Sequence, residues 1–198
     1  EPIFGFPTIV GQNGYDGKYD NYFSYDPEKA KDLLAEAGYP DGFSCKLLSS
    51  STYAMHEQTA VCVQSGLAEI GIKVELELPD WATRIERSNV GDYDMMVSGT
   101  TGNIVDMDWA TNYYESGDVR LNSCPGFADN KIDELLQKGR TTLDEKEREE
   151  IYDQFRERAL ELSPFVFINF REQVFATAKN VHGFQNLDGI LTYLSGLT

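Results

Sequence analysis

The pattern of apolar and polar positions in the first half of the chain predicts helices and strands in alternation. A helix starts at Asp26 and Pro27, because aspartate caps helix N-termini and proline fits the first helical turn. A strand over 43–49 comes next, followed by a helix over about 54–70 with apolar residues at helical spacing. Residues 72–78 alternate strictly between apolar and polar side chains, which is the period of a half-buried strand.

A short helix and a short apolar strand complete this alternating region. Asp80 caps the helix, Trp81 lies in its first turn, and the apolar run 95–97 predicts the strand. Helices that alternate with strands are typical of a mainly parallel sheet with helices packed on both of its faces. The predicted fold class is therefore α/β.

The second half of the chain is predicted to contain helices and then apolar strands. Asp129 caps one helix, and a capping box of Asp144 and Glu147 starts a longer one. The apolar run 165–170 predicts a buried strand, and residues 174–178 predict another. Predicted helices and strands thus continue as far as residue 178.

Three segments are predicted from these patterns. Residues 1–25 contain many Gly and Pro and predict an irregular linker. Residues 26–180 form the α/β lobe, and residues 181–198 form a tail with little pattern. The chain is long enough for one domain or one lobe of a larger protein.

Polar side chains gather in the loop after the third predicted strand, where ligands of open α/β sheets bind. This loop is the candidate ligand site. An arginine directly after the run 165–170 is a further candidate, because a guanidinium can hold a carboxylate with two hydrogen bonds. The candidate ligand-binding residues are Thr100, Thr101, Asn103, Asp106, Asp108, Trp109 and Arg171.

Each candidate also has a structural interpretation. Asp106 or Asp108 could pair with a ligand ammonium or accept a hydrogen bond from a sugar hydroxyl, and either could equally cap a turn leading to Trp109. Trp109 could stack on a ligand or pack beneath the loop. Arg171 at a sheet edge would simply be solvated. A glycosidase using the two aspartates stays an alternative function, although carboxylates so close on one loop do not obviously flank a scissile bond.

Charge and cysteine content narrow the function classes. The chain has 33 acidic and 17 basic residues, and its net charge of −16 argues against nucleic acid and anionic membranes as partners. Cys45, Cys62 and Cys124 match no metal or redox spacing, so we expect them to be small buried apolar residues. We expect neither a cofactor nor a metal. His56 and His182 are predicted to lie at the surface, and no nucleophile motif accompanies them.

Several segments resemble segments of one protein family, and they occur in the same order along the chain. Residues 25–39 resemble a helix of the peptide- and nickel-type solute-binding proteins of ABC importers, extracellular solute-binding protein family 5. Residues 67–75 resemble the next helix-to-strand junction of that family, and Trp81 followed by residues 91–95 resembles its W…GDYD segment. Residues 142–152 and 180–184 are similar to characteristic segments nearer the C-terminal end of that family.

The resemblance implies a fold and a function. It implies the C-terminal lobe of a type II, periplasmic-binding-protein-like fold, which closes with an N-terminal lobe over a peptide or similar small solute. The partners would be that lobe and an ABC permease, and the isolated lobe could dimerise. The location would be extracytoplasmic, in the periplasm or at the outer face of the membrane, with a lipid anchor left open. A sensory or partner-binding domain of the same fold is a further alternative.

The resemblance is incomplete at the candidate site. Thr100 stands where the family commonly has tryptophan, and Met107 stands where it commonly has proline. The aspartate that clamps a ligand ammonium in peptide-binding members would be Asp106, Asp108 or neither.

Overall fold

The computed structural model describes residues 2–7, 15, 17–99, 106–119, 122–170 and 174–184. Predicted alternation over the first half of the chain is confirmed, since helices and strands follow one another as far as the third strand. The elements are α1 (Pro27–Glu36), β1 (Ser44–Leu48), α2 (Ala54–Glu69), β2 (Lys73–Glu77), α3 (Trp81–Asn89), β3 (Met95–Met96), a 3-10 helix (Met107–Ala110), α4 (Thr111–Tyr114), α5 (Asn130–Thr141) and α6 (Glu145–Leu162).

The described strands form one parallel sheet in the order β2-β1-β3. Ser44 pairs with Lys73 at the start of β1 and β2, and Leu47 pairs with Met95 of β3. The chain must therefore pass from β2 back over β1 to reach β3. The α/β fold class predicted from the sequence is confirmed.

Aspartates cap the starts of α1, α3, α5 and α6, as predicted. The side chain of Asp26 accepts a hydrogen bond from Lys29 N, and that of Asp144 accepts one from Glu147 N. Asp80 and Asp129 cap α3 and α5 in the same way. Each carboxylate satisfies amide groups that have no partner inside the helix and faces the positive end of the helix dipole.

Two apolar clusters support the described part of the chain. The sheet cluster packs β1, β2 and Val97 against Ala60 of α2, and includes Cys45, Leu47, Ile72 and Val74. The helical cluster joins α4, α5 and α6 and is rich in aromatic rings. Its buried members are Phe6, Tyr19, Met107, Ala110, Tyr114, Ile132, Leu135, Leu136, Ile151, Tyr152, Phe155, Ala159 and Leu160.

The beginning of the chain contributes to the helical cluster. Phe6 and Tyr19 are both buried there, although they fall within the segment predicted as a linker. Ile3 N donates a hydrogen bond of 2.9 Å to Ile168 O, and Pro2 forms an antiparallel bridge with Asn169. The described residues of this segment contain no helix or strand of their own, but parts of them are firmly packed.

Two strand predictions are wrong for the described residues. Only Asn169 of residues 165–170 forms a bridge, and residues 174–178 form no strand. Phe165 and Phe167 pack on the helical cluster, whereas Val166 is 76% exposed. The apolar run therefore lies along a helical surface, where the described part of the chain offers it no strand with which to form a ladder.

The cysteines occupy different environments. Cys45 is buried in the sheet cluster, Cys124 is half-buried and Cys62 is exposed on α2. All three are free thiols. Expecting small buried apolar residues was thus correct for Cys45 and wrong for Cys62.

Candidate functional site

The carboxyl ends of β1 and β3 lie side by side, and we call the region between them the crevice. The connection that leaves β1 leads to β2, on the opposite side from β3, so the order of the strands reverses at this point. Ser49 and Ser50 follow β1, and Val97, Ser98 and Gly99 follow β3. Such a switch point in strand order is where open α/β sheets bind ligands.

Buried hydroxyl groups fix the loop after β1. Ser49 and Ser50 are completely buried. The Ser49 hydroxyl donates to His56 O at 3.0 Å, and the Ser50 hydroxyl accepts from Thr52 N at 3.1 Å. The Thr52 hydroxyl accepts from Trp81 N at 3.1 Å. These bonds tie the start of α3 to the end of β1, so both elements present side chains to the same crevice.

Aromatic side chains from α2 and α3 meet beside these serines. Tyr53 and Trp81 pack edge to face, with ring centroids 5.1 Å apart. The His56 ring lies 5.6 Å from Tyr53 and 5.9 Å from Trp81. A Cβ added to Gly99 would lie 3.3 Å from His56 Nε2, so the imidazole closely approaches the backbone that follows β3.

A buried arginine lies under this aromatic group. Arg84 has no exposed surface, and its guanidinium carbon is 5.0 Å from the centroid of the Trp81 ring. Its Nη2 donates to Val97 O at 3.2 Å, whereas Nε and Nη1 are buried without a hydrogen-bond partner. Burial lowers the pKa of Arg84, because a charged group is unfavourable away from water. The guanidinium therefore has free donor capacity next to the crevice.

The surroundings of His56 favour its neutral form. Burial, and then the positive charge of Arg84, lowers the pKa of His56 below its ordinary value of 6.5. Its Nδ1 is buried without a hydrogen-bond partner. The predicted surface position is confirmed for His182, which is exposed, and is wrong for His56, which is half-buried against Trp81.

Asp106, one of the predicted ligand residues, caps the 3-10 helix and pairs with α6. Its Oδ1 accepts from Asp108 N at 2.8 Å. Arg148 donates to both carboxylate oxygens at 2.7 and 2.8 Å, and this side-chain bonding lowers the pKa of Asp106. The structural interpretation left open from the sequence, a capped turn, is the one that these contacts support.

Asp108 and Trp109 also have partners within the chain. Asp108 Oδ1 accepts from Arg140 Nε and from the Thr111 hydroxyl, each at 3.0 Å. The Trp109 ring lies against Phe6 and Tyr113 at centroid distances of 6.0 and 5.1 Å. Its Nε1 is buried without a hydrogen-bond partner. These residues thus join the loop to the helical cluster.

The other predicted ligand residues lie outside the described residues, namely Thr100, Thr101, Asn103 and Arg171. Ligand contact by any residue of the predicted set stays a prediction. Sequence reasoning did not select His56 or Arg84 as binding residues. No local sequence pattern marks these two residues. They come close together only because the strand order places α2, α3 and the end of β3 side by side.

The described ranges lack the features of a metal site and of a membrane span. Across that part of the chain, no three His, Cys, Asp or Glu side chains are grouped so that they could hold a metal ion. None of the helices described there combines the length and apolarity needed to cross a membrane.

Comparison with known proteins decides the family. Residues 2–120 match the family described as bacterial extracellular solute-binding proteins, family 5 Middle. The chain belongs to this family. The recognition made from the sequence is therefore confirmed, and the match includes the crevice between β1 and β3.

Solved structures of binding proteins resemble the chain. The PBP AgaA from A. tumefaciens, in complex with agropinic acid, is 52% identical, has a TM-score of 0.87 and is matched over 96% of this chain and 39% of its own. The periplasmic binding protein DppA from Helicobacter pylori, in complex with the peptide STSA, is 30% identical with a TM-score of 0.72, over 84% of this chain and 33% of its own.

Curated relatives point the same way. The dipeptide-binding protein of Pseudomonas aeruginosa is 28% identical over 166 residues, which cover 81% of this chain and 31% of that protein. The glutathione-binding protein GsiB of Escherichia coli is 29% identical over 168 residues, covering 81% of this chain and 33% of that protein. The chain thus spans about a third of the length of the curated relatives that it matches.

Proposed function

We propose that this chain is one lobe of the substrate-binding component of an ABC importer, which binds a peptide or similar small polar solute and delivers it to a membrane permease. The observation that carries the proposal is the crevice between the carboxyl ends of β1 and β3. It combines buried hydroxyl groups, aromatic rings and an unpaired guanidinium. Membership of the solute-binding family supports a transport role for this crevice.

The crevice would form one wall of a two-walled cleft. The other wall would come from an N-terminal lobe, and a hinge would close the lobes over the solute. A solute that binds the closed form more tightly shifts the population towards closure. The match of this chain to about a third of its relatives' length supports the assignment of a single lobe.

Agropinic acid is the first solute to test. The AgaA complex supports this choice because its 52% identity over 96% of this chain exceeds that of the peptide-binding relatives quoted above. Dipeptides and glutathione follow as second and third candidates, since they appear in the names of curated relatives.

The proposal includes no catalysis. Asp106 is paired with Arg148, and Asp108 is paired with Arg140. A glycosidase would need a carboxyl group that acts as a proton donor, whereas the hydrogen bonds from Arg148 lower the pKa of Asp106 and favour its ionised form. This supports a binding protein over the alternative enzyme.

The location would be extracytoplasmic, and attachment by a lipid anchor belongs to the same proposal.

Calorimetric titration tests the proposal. Agropinic acid, Met-Leu and glutathione would each be titrated into a two-lobed protein that contains this chain, and into the chain itself. We expect at least one solute to bind the two-lobed protein at micromolar or lower concentration, and the chain alone to bind it more weakly. Absence of binding by all three solutes to the two-lobed protein would contradict the proposal. Micromolar binding by the chain alone would contradict the shared cleft.

A further inference from the structure

We propose that Arg84 is a specificity-determining residue, which selects solutes that carry an anionic oxygen group such as a carboxylate. The inference rests on the proposed function, because it assigns a chemical class to the solute of that same crevice. It also assigns the recognition to a side chain on α3 instead of to the acidic loop of Asp106 and Asp108.

The guanidinium of Arg84 has unused hydrogen-bonding capacity. It is fully buried, and among its donors the Nε and Nη1 groups have no partner. A buried charge without hydrogen bonds is unfavourable, and folded proteins usually satisfy such groups. Nη2 shares one edge of the planar guanidinium with Nε and the other edge with Nη1, and Val97 O takes only one of its two hydrogens. One edge is therefore free to pair with the two oxygens of a carboxylate.

The other arginines of the described ranges differ from Arg84. Each of the five forms an ion pair with a carboxylate of this chain, which has abundant acidic residues and a net charge of −16. An internal partner for Arg84 would therefore have been easy to supply. The paired arginines are Arg87, Arg140, Arg148, Arg156 and Arg158.

The surroundings of Arg84 suit a bound anion. The Trp81 ring covers the guanidinium at 5.0 Å and holds it in place. The His56 ring also contacts Trp81, with ring centroids 5.9 Å apart, and its Nδ1 lacks a partner as well. A neutral imidazole carries one N–H donor, so His56 can supply a further hydrogen bond to the same anion. The two unpartnered groups thus come from different helices and meet at the strand ends.

Nuclear magnetic resonance of the 15N-labelled chain tests this inference. The probes are sodium acetate and inorganic phosphate, with methylammonium chloride as the cationic counterpart at matched ionic strength. We expect a saturable shift of the Arg84 Nε–Hε signal and of the Gly99 amide with one or both anions, and no shift of these signals with methylammonium. Comparison of acetate with phosphate identifies which anionic group the crevice prefers.

Variants on one helix separate recognition from general charge. Arg84→Gln should weaken anion binding by about 10-fold or more, as expected for loss of a charged hydrogen-bond donor. Arg87→Gln removes the same charge from α3, but its guanidinium is already occupied by Glu77 and Asp92, so binding should be unchanged. Arg84→Lys keeps the charge and should restore part of the affinity.

Two results would overturn the inference. One is the absence of any saturable anion-dependent shift at Arg84 in the unaltered chain, which requires no variant to fold. The other is anion binding that is equal in the unaltered chain and in a folded Arg84→Gln variant. Either result leaves the calorimetric test untouched, because the two-lobed protein could still bind one of the three solutes through groups other than Arg84. Failure of the inference is thus distinguishable from failure of the proposed function.

Discussion

Arg148 of α6 holds both carboxylate oxygens of Asp106, at 2.7 and 2.8 Å, and so fixes the residue that caps the 3-10 helix. The same carboxylate was a candidate ligand group on sequence grounds. Its partners give it a structural task that can be separated experimentally from ligand contact.

Substitution of Asp106 separates the two tasks. Asp106→Asn keeps a capping side chain and loses the ion pair, so the free energy of unfolding should fall by less than about 1 kcal/mol, as for exposed pairs. Asp106→Ala loses the cap as well and should lower it by about 1–2 kcal/mol. Urea denaturation measures both. If Asp106→Asn abolished solute binding at nearly unchanged stability, the carboxylate would be a ligand group after all.

The pairing of Asp106 also predicts a dependence of stability on pH. The Arg148 guanidinium lowers the Asp106 pKa below its ordinary value of 3.8. The stability that the pair contributes is therefore fully present above the unfolded-state pKa of Asp106. It is lost as pH falls through the lower folded-state pKa. Between about pH 6 and pH 3, the free energy of unfolding should fall less in Arg148→Gln than in the unaltered chain. Equal losses would contradict the pairing.

His56 predicts a second pH dependence, nearer neutrality. Because its pKa is lowered by burial and by Arg84, the folded chain binds a proton less readily than the unfolded chain. The stability linked to His56 is present above pH 6.5 and falls as pH drops through the folded-state pKa. His56→Gln should flatten this part of the stability profile, whereas substitution of the exposed His182 should not. An unchanged profile in His56→Gln would contradict the buried environment.

Two helical glycines predict opposite effects of the same substitution. In Gly66→Ala the new Cβ meets no atom within 4 Å, so the stability should rise by about 0.5–1 kcal/mol through helix propensity. In Gly139→Ala the Cβ would lie 2.6 Å from Cζ of the buried Tyr152 ring. Overpacking should then lower stability by about 1–3 kcal/mol. Thermal unfolding of both variants checks the packing of α5 on α6, and stabilisation by Gly139→Ala would contradict it.

The helices were predictable because their signals are local. Asp26, Asp80, Asp129 and Asp144 each act on amides within the next three residues, so the start of a helix can be recognised in a short segment. The strict alternation of β2 is equally local. Both kinds of prediction held, with boundaries shifted by one or two residues.

The site and the end of the lobe depended on contacts that are distant in sequence. Apolar periodicity cannot say whether residues 165–170 find a neighbouring strand, and in the described part of the chain Phe165 and Phe167 pack on helices instead. Arg84 stands between ordinary helix residues and gives no local sign of burial. Only the order β2-β1-β3 brings it to the crevice with His56.

Mapping of a bound solute by nuclear magnetic resonance tests the central claim, which is the position of the crevice. The 15N-labelled chain would be titrated with agropinic acid and the amide shifts assigned to elements. The account predicts that the largest shifts lie at residues 49–56, at Trp81 and Arg84, and at residues 97–99. Saturable shifts confined to the outer surfaces of α5 and α6, with these residues unaffected, would contradict it.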